Sequence, residues 1–427
     1  IDLTGMDNIS FQSCSGAMGE YSALLAIKDY HLDKIGCVEY ENNINQYCFI
    51  PESAHGTNFA SAIMAGFKVV KVKNTRKGYI DYLDLEKKIN DIESKNSNSL
   101  EIHNISCMMI TYPSTFGFFD ENIINITDLI HQKNGIIYMD GANMNAMTGI
   151  IKPGDLGMDV CHLNLHKTFS IPHGGGGPGM GPICYKDKLT PYVVNHRYDI
   201  NNNDKYNSNS IISKRNDSET TLLFRSIASS PYSSASILSI PFHYLNTLSN
   251  SDLKDMSSIA ILNANYLKCC LQDYYTIKFS NKKGFVAHEF IIDTSEFKKL
   301  GITENDIAKR MMDYYFHPPT MSWPIASCLM IEPTESESKE ELDRFVDSMI
   351  MIRKEITEIE EGKYSKENNV FKNAPHSMND LMDWQHPYSP EKGVYPLPIL
   401  KNIKHRIPIN RVNDTENDKK LLDMIKK

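Results

Sequence analysis

The chain has 427 residues, 41% of them hydrophobic, and a formal net charge of −8. That length accommodates about two or three domains with a sizeable core. No apolar run reaches the roughly 20 residues a bilayer-spanning helix needs, and the mild acidity, with Lys and Arg scattered, argues against a membrane or nucleic-acid partner. Nine cysteines, an odd number without Cys-x-x-Cys spacing, read as reduced thiols of an intracellular chain that is not secreted.

In chain order, Cys14 to Tyr30 opens with Ser15-Gly16-Ala17-Met18-Gly19-Glu20 and continues as a helix. The N-H groups and positive dipole end of such a start suit an anion, and an ordinary Ser-Gly helix start is the plainer alternative in isolation. A strand ending at Phe49-Ile50 precedes Ser53-Ala54-His55-Gly56-Thr57-Asn58 and a helix through Ala65. Phe67 to Val72 reads as a strand, Tyr82 to Ile92 as an amphipathic helix, and Glu93 to Ser99 as a polar loop.

Ile105 to Ile110 is a buried strand whose tip carries Thr111-Tyr112-Pro113-Ser114-Thr115, hydroxyls that suit either a ligand or turn capping. Asn122 to Lys133 is a crossover helix. Gly135 to Met139 and Val160 to Leu165 are short apolar runs that deliver Asp140 and His166-Lys167 at their carboxyl ends. Pro182 to Tyr185 returns into the sheet. Repeated strand, helix, strand implies an α/β fold, a mostly parallel doubly wound sheet with its site at the carboxyl edge.

The carboxyl-terminal part reads differently. Residues 199–221 form a polar surface insert, a long helix runs from Asp252 to Tyr274, and a smaller α+β domain follows. Its expected strands are Phe285 to Ile292 and Ser327 to Ile331, with helices Glu304 to Tyr315 and Lys339 to Glu361. Asp414 to Lys427 is charged and expected to fray. The domain limits expected are 1–250, 251–400 and a tail, 401–427.

An acid at one strand tip and a lysine 27 residues later at the next tip suit pyridoxal 5'-phosphate (PLP). The lysine forms the Schiff base, and the acid keeps the pyridine nitrogen protonated so that the ring accepts electrons. The glycines from Gly174 to Gly181 let backbone pass close to such a group. They do not fit Gly-x-x-x-x-Gly-Lys-Ser/Thr, so no nucleotide is expected. His162 and His166 lie four apart without a third ligand cluster, so no metal is expected either.

The stretch from His162 to Gly181 resembles the lysine segment of the glycine cleavage system P-proteins, the decarboxylating glycine dehydrogenases. Similar words are Ser53-Ala54-His55-Gly56-Thr57-Asn58, Thr111-Tyr112-Pro113-Ser114-Thr115, Pro319-Thr320-Met321-Ser322-Trp323-Pro324 and Glu332-Pro333-Thr334-Glu335-Ser336-Glu337. The resemblance covers roughly residues 1–400. It implies a fold type I PLP-dependent transferase, with Lys167 as the Schiff-base lysine, Asp140 on the ring nitrogen and His55 stacked on the ring. Ser15, Gly16 and Ala17 would hold the phosphate, with Thr111 and His166 also at the cofactor.

It further implies glycine as substrate, carbon dioxide as product, and the lipoylated H-protein as acceptor of the aminomethyl group. The other glycine cleavage components, an amino-terminal P-protein half and a dimer mate would be partners. The location would be the mitochondrial matrix in a eukaryote or the cytoplasm in a bacterium. One departure stands out: Pro231-Tyr232-Ser233 occupies the place of the family's Pro-Trp-Gly. Isoleucine at position 1, just ahead of the phosphate loop, suggests a piece lacking its true amino terminus. A desulfurase or aminotransferase of the same fold, and a non-catalytic half of the same protein, are the rival readings. A desulfurase wants a mobile loop cysteine that none of the nine announces, and Lys167 speaks against the non-catalytic half.

Overall fold

The computed structural model describes residues 1–36, 44–97, 101–173, 177–196, 226–405, 407–412 and 414–425. The chain divides into two compact units, residues 1–262 with 279–288, and residues 263–278 with 289–427. The first is built from β1 (Asn8–Ser10), α1 (Gly16–Ile35), β2 (Ile44–Pro51), α2 (Gly56–Met64), β3 (Lys68–Val72), α3 (Tyr82–Asn96), β4 (Ile102–Thr111), α4 (Ile123–Gln132), β5 (Ile136–Gly141), β6 (Val160–Leu163) and β7 (Ile183–Tyr185). The sheet order is β1-β7-β6-β5-β4-β2-β3. The strands from β2 to β6 pair in parallel, whereas β7 runs antiparallel to β6 and β1 antiparallel to β7.

Both faces of this sheet are dry, which is why its strands read as continuous apolar runs. Ile105, Met108 and Ile110 of β4 and Ile137 and Met139 of β5 pack with Leu85, Ile89, Ile126 and Ile130 of α3 and α4. Their neighbours Cys107, Met109, Ile136 and Tyr138 pack on the other face with Ala23, Leu24 and Ile27 of α1 and Ala62 of α2. Successive side chains on a strand point to opposite faces, so one run of sequence feeds two cores. Helices on both faces make the sheet doubly wound, as expected.

The second unit holds an antiparallel sheet in the order β10-β11-β9-β8, from β8 (Thr276–Ile277), β9 (Phe290–Asp293), β10 (Thr320–Met321) and β11 (Cys328–Ile331). Its main helices are α5 (Glu304–Asp313) and α6 (Lys339–Glu360). A capping box between Thr303 and Asp306 starts α5, and the Ser338 side chain caps α6.

Three local expectations are corrected. Glu93 to Asn96 belong to α3 and not to a loop, because Asn96 closes the helix by bonding the backbone of His103 and Glu93 pairs with Lys133 at 2.8 Å. Phe285 to Glu289 stay outside β9, since Asn281 takes the N-H groups of Lys283 and Phe285 in a turn around Gly284, whose φ is +80°. Asp414–Ile425 is a helix, with Glu416 and Lys420 paired one turn apart, although Leu421, Leu422, Met424 and Ile425 remain exposed. The insert at 199–221 and residues 174–176 of the glycine run lie outside the described residues.

Candidate active site

The carboxyl ends of β5 and β6 set the site. Asp140 on β5 stands in register with His162 on β6, four residues before His166. The Ser15 side chain caps α1 by accepting from the Met18 N-H at 3.3 Å, and the helix starts against the end of β6. A Cβ on Gly16 would lie 2.6 Å from Asn164 Oδ1 and 3.1 Å from His162 Nε2. At Gly181 it would lie 2.1 Å from the Ser15 carbonyl oxygen, so this approach admits only glycine. The first N-H groups of α1, those of Gly16 and Ala17, have no intrahelical acceptor by helix geometry.

Asp140 is 6% exposed. Its carboxyl accepts from Asn58 Nδ2 at 3.2 Å and from the Ala142 N-H at 3.1 Å, and lies 3.4 Å from His162 Nε2. The other nitrogen of His162 bonds the Tyr138 hydroxyl. Burial, with the nearby Glu20 and Asp140 carboxyls, drives the Tyr138 phenol well above its usual range, so it stays a neutral donor. Met144 N-H donates to Thr168 Oγ1 at 2.9 Å and ties the loop after Asp140 to the lysine loop.

Lys167 is exposed, on the turn that follows β6, while its neighbours Leu165, Thr168 and Phe169 are buried. The Ile171 N-H bonds the Leu165 carbonyl around it, and Ser170 adopts a φ of +66°. His166 stacks at a tilt on His173, ring centroids 4.3 Å apart. Burial lowers the His166 imidazole first, and the neighbouring His173 and Lys167 charges lower it further.

His55 is exposed and caps α2, with Nδ1 2.8 Å from Thr57 Oγ1. At the tip of β4, Thr115 donates to the Ser53 carbonyl and Ser114 accepts from the Phe116 N-H, so both cap the turn. Thr111 Oγ1 has no partner among the described residues. The sequence reading missed Glu20, buried on the second turn of α1, whose Oε1 accepts from Thr57 Oγ1 at 2.8 Å. It also missed Asn58 and the link from His162 to Asp140. Glu20, Asp140 and His162 bring their donor atoms within 4.8 Å of one another, and each already has a protein partner.

Interior polar atoms are nearly always paired, so a cluster of orphans marks a place made for something else. Glu20 Oε2, Asn58 Oδ1, Thr111 Oγ1, Asn164 Oδ1 and His166 Nδ1 are buried without partners among the described residues. A helix start whose first N-H groups lack an intrahelical acceptor, a buried carboxyl, an exposed lysine and these orphans fit a polar, phosphate-bearing cofactor such as PLP. In the second unit, two of the quoted words meet in one open cleft of about 520 Å³, where Pro319 and Thr320 line it with Glu332, Pro333 and Glu337.

Tyr232 and Ser233 follow the departure noted above. Ser233 takes a φ of +50°, a left-handed conformation in which glycine carries no penalty, and the Ser230 hydroxyl donates to the Ser233 carbonyl at 2.7 Å.

The fold is that of the fold type I PLP-dependent enzymes. Solved structures with similar architecture include a glycine decarboxylase (P-protein) of the glycine cleavage system, with a TM-score of 0.57 at 14% identity over 83% of this chain and 73% of that one. A cysteine desulfurase from Thermococcus onnurineus aligns with a TM-score of 0.54 at 14% identity, over 81% of this chain and 79% of that one. In sequence, residues 256–376 match the family model of the glycine dehydrogenase C-terminal domain. A protein described as a mitochondrial glycine dehydrogenase (decarboxylating) of Schizosaccharomyces pombe is 47% identical over 98% of this chain and 38% of its own length. The glycine dehydrogenase (decarboxylating) of Nostoc punctiforme is 46% identical over 98% of this chain and 40% of its own. The chain is thus a relative of the decarboxylating glycine dehydrogenases along nearly all of its length, and it spans about two fifths of theirs.

Proposed function

We propose that this chain is the PLP-binding part of a glycine dehydrogenase (decarboxylating). It releases carbon dioxide from glycine and passes the aminomethyl group to the lipoyl arm of H-protein. The observation that carries the reading is the sheet edge where a buried carboxyl at the end of β5 and the turn bearing exposed Lys167 after the neighbouring β6 stand beside the helix start at Ser15. When bound, PLP supplies an aldehyde for an amine and a ring that withdraws electrons from the bond being broken.

The chain's own residues do the rest. Ser15, Gly16 and Ala17 would present N-H groups to the phosphate, and Lys167 would hold the cofactor through its side-chain amine. Asp140, fixed by Asn58 and the Ala142 N-H, would accept a hydrogen bond from the ring nitrogen and keep it protonated. His55 would stack on the ring, and His166 and Thr111 would also hold the cofactor. An amino-terminal P-protein half, a dimer mate and the other glycine cleavage components complete the assembly, in the mitochondrial matrix of a eukaryote or the cytoplasm of a bacterium.

The test is chemical. The 427-residue chain incubated with PLP develops a visible absorbance band, borohydride fixes the cofactor on Lys167, and Lys167→Ala loses both. A label on any other lysine overturns the assignment. Exchange of bicarbonate into the glycine carboxyl, dependent on lipoyl-H-protein and an amino-terminal half, tests the reaction itself.

A further inference from the structure

Two consecutive residues at the start of α2 reach the two buried carboxyls of the site. Asn58 donates to Asp140 at 3.2 Å, and the Thr57 hydroxyl donates to Glu20 at 2.8 Å. The same Thr57 oxygen lies 2.8 Å from His55 Nδ1, so Glu20, Thr57 and His55 form a chain. Glu20 is 2% exposed, and its other oxygen has no partner among the described residues. A buried carboxyl with one bond is poorly compensated for its lost hydration, which is a costly arrangement unless that bond matters.

A hydroxyl has one hydrogen, and here it has two neighbours that can take it. When Glu20 takes it, the Thr57 oxygen offers only lone pairs to His55, and Nδ1 bonds it by carrying the ring hydrogen. When Glu20 is absent, the hydroxyl is released to donate to Nδ1, and the ring hydrogen moves to Nε2. The Thr57 backbone N-H, 3.2 Å from Nδ1, favours that second state. Nδ1 is therefore contested, with the shorter contact and the carboxyl on one side and the helix cap on the other.

We propose that Glu20 is a positioning residue that acts through Thr57 to fix the orientation and tautomer of His55, with hydrogen on Nδ1 and Nε2 as a proton acceptor. The inference rests on the reading that His55 lies over the cofactor ring. It makes the face that His55 turns to a ligand an accepting face and not a donating one. The determinant sits two side chains away, on a different helix.

The experiment uses the 427-residue chain labelled with ¹⁵N-histidine, without PLP, at about pH 8, where an ordinary imidazole is neutral. His55 signals are assigned by their loss in His55→Gln. The native chain shows a protonated Nδ1. Thr57→Val and Glu20→Met each move the hydrogen to Nε2, and Ser22→Ala, on the same helix as Glu20, leaves it in place. Should Glu20→Met fold poorly, Glu20→Leu takes its place, since it too leaves the Thr57 hydroxyl without that acceptor. A native His55 already carrying its hydrogen on Nε2, or a Glu20 variant that leaves the signals unmoved, overturns the proposal. PLP titration separates the underlying reading: His55→Gln that binds PLP as tightly as the native chain removes His55 from the cofactor while leaving the tautomer result intact. If both hold, Glu20→Met and Thr57→Val weaken PLP by similar factors, and the double variant weakens it no further.

Discussion

Arg310, in the C-terminal unit, is fully enclosed, and all five of its N-H groups are used. They reach both oxygens of Glu355, one oxygen of Asp313 and the carbonyls of Lys392 and Gly393. Asp313 also accepts from His376, whose far nitrogen meets the Tyr388 hydroxyl at 2.7 Å. Burial lowers the Lys404 ammonium beside Asp313 to about 8. In the first unit, Asp140 and Glu20 are buried about as deeply among orphaned atoms. A buried charge with every valence taken is architecture, whereas buried polar groups with valences to spare are a receptor.

That contrast breaks most visibly at Arg310. Arg310→Ala strands Glu355 and Asp313 in the interior, and uncompensated buried charge of this kind costs about 3–5 kcal/mol. Thermal unfolding followed by circular dichroism should show a large downward shift, and a shift near zero would mean that the network contributes nothing net.

The next largest effect is a pH dependence in the first unit. Buried His31 shares a 2.7 Å bond with the Ser106 carbonyl, and burial lowers its imidazole to about 4. The unfolded chain therefore takes up a proton below about 6.5 that the folded chain refuses. Stability from this group is complete above about 6.5 and is lost as pH falls towards 4, up to about 3 kcal/mol. Denaturant titrations of the native chain and His31→Gln, from neutral pH to about 4, should converge on the acid side. Parallel curves would remove His31 from the acid response.

Asp140→Asn sharpens the comparison from the other direction. Its neighbours can rebond to an amide, so stability should change by less than about 1 kcal/mol, while PLP affinity and turnover fall steeply. A large loss of stability with normal cofactor binding would make Asp140 architectural. The smallest effect is at Ser233. Ser233→Gly removes the left-handed strain and should stabilise by about 0.5–1 kcal/mol. A destabilised glycine variant would show that the Ser230 bond already compensates.

Much of the first unit was legible because a sheet dry on both faces writes itself as apolar runs, and the acid and lysine stand at the ends of two of them. Glu20 and Asn58 were not, because nothing local distinguishes a buried carboxyl on a helix from a solvated one. Their meaning comes from residues such as Asp140, 82 positions from Asn58. The Arg310 network was equally hidden, since its partners include backbone carbonyls more than 80 positions away. The α3 end was misread because Asn96 stabilises it through a strand that composition does not connect to it.

The outer edge of the large sheet carries a consequence for how the protein comes to exist. Strand β1 zips onto β7, with Asn8 opposite Tyr185, and Gly181 N-H reaches back to the Ser13 carbonyl at 3.0 Å. The turn at Ser15 is thus wedged between the first strand of the sheet and the last one to be synthesised. Closing so long a loop is slow compared with assembling the parallel strands between. During synthesis the ribosome must release β7 before that turn can acquire its shape, so the turn should form only after Tyr185 has emerged.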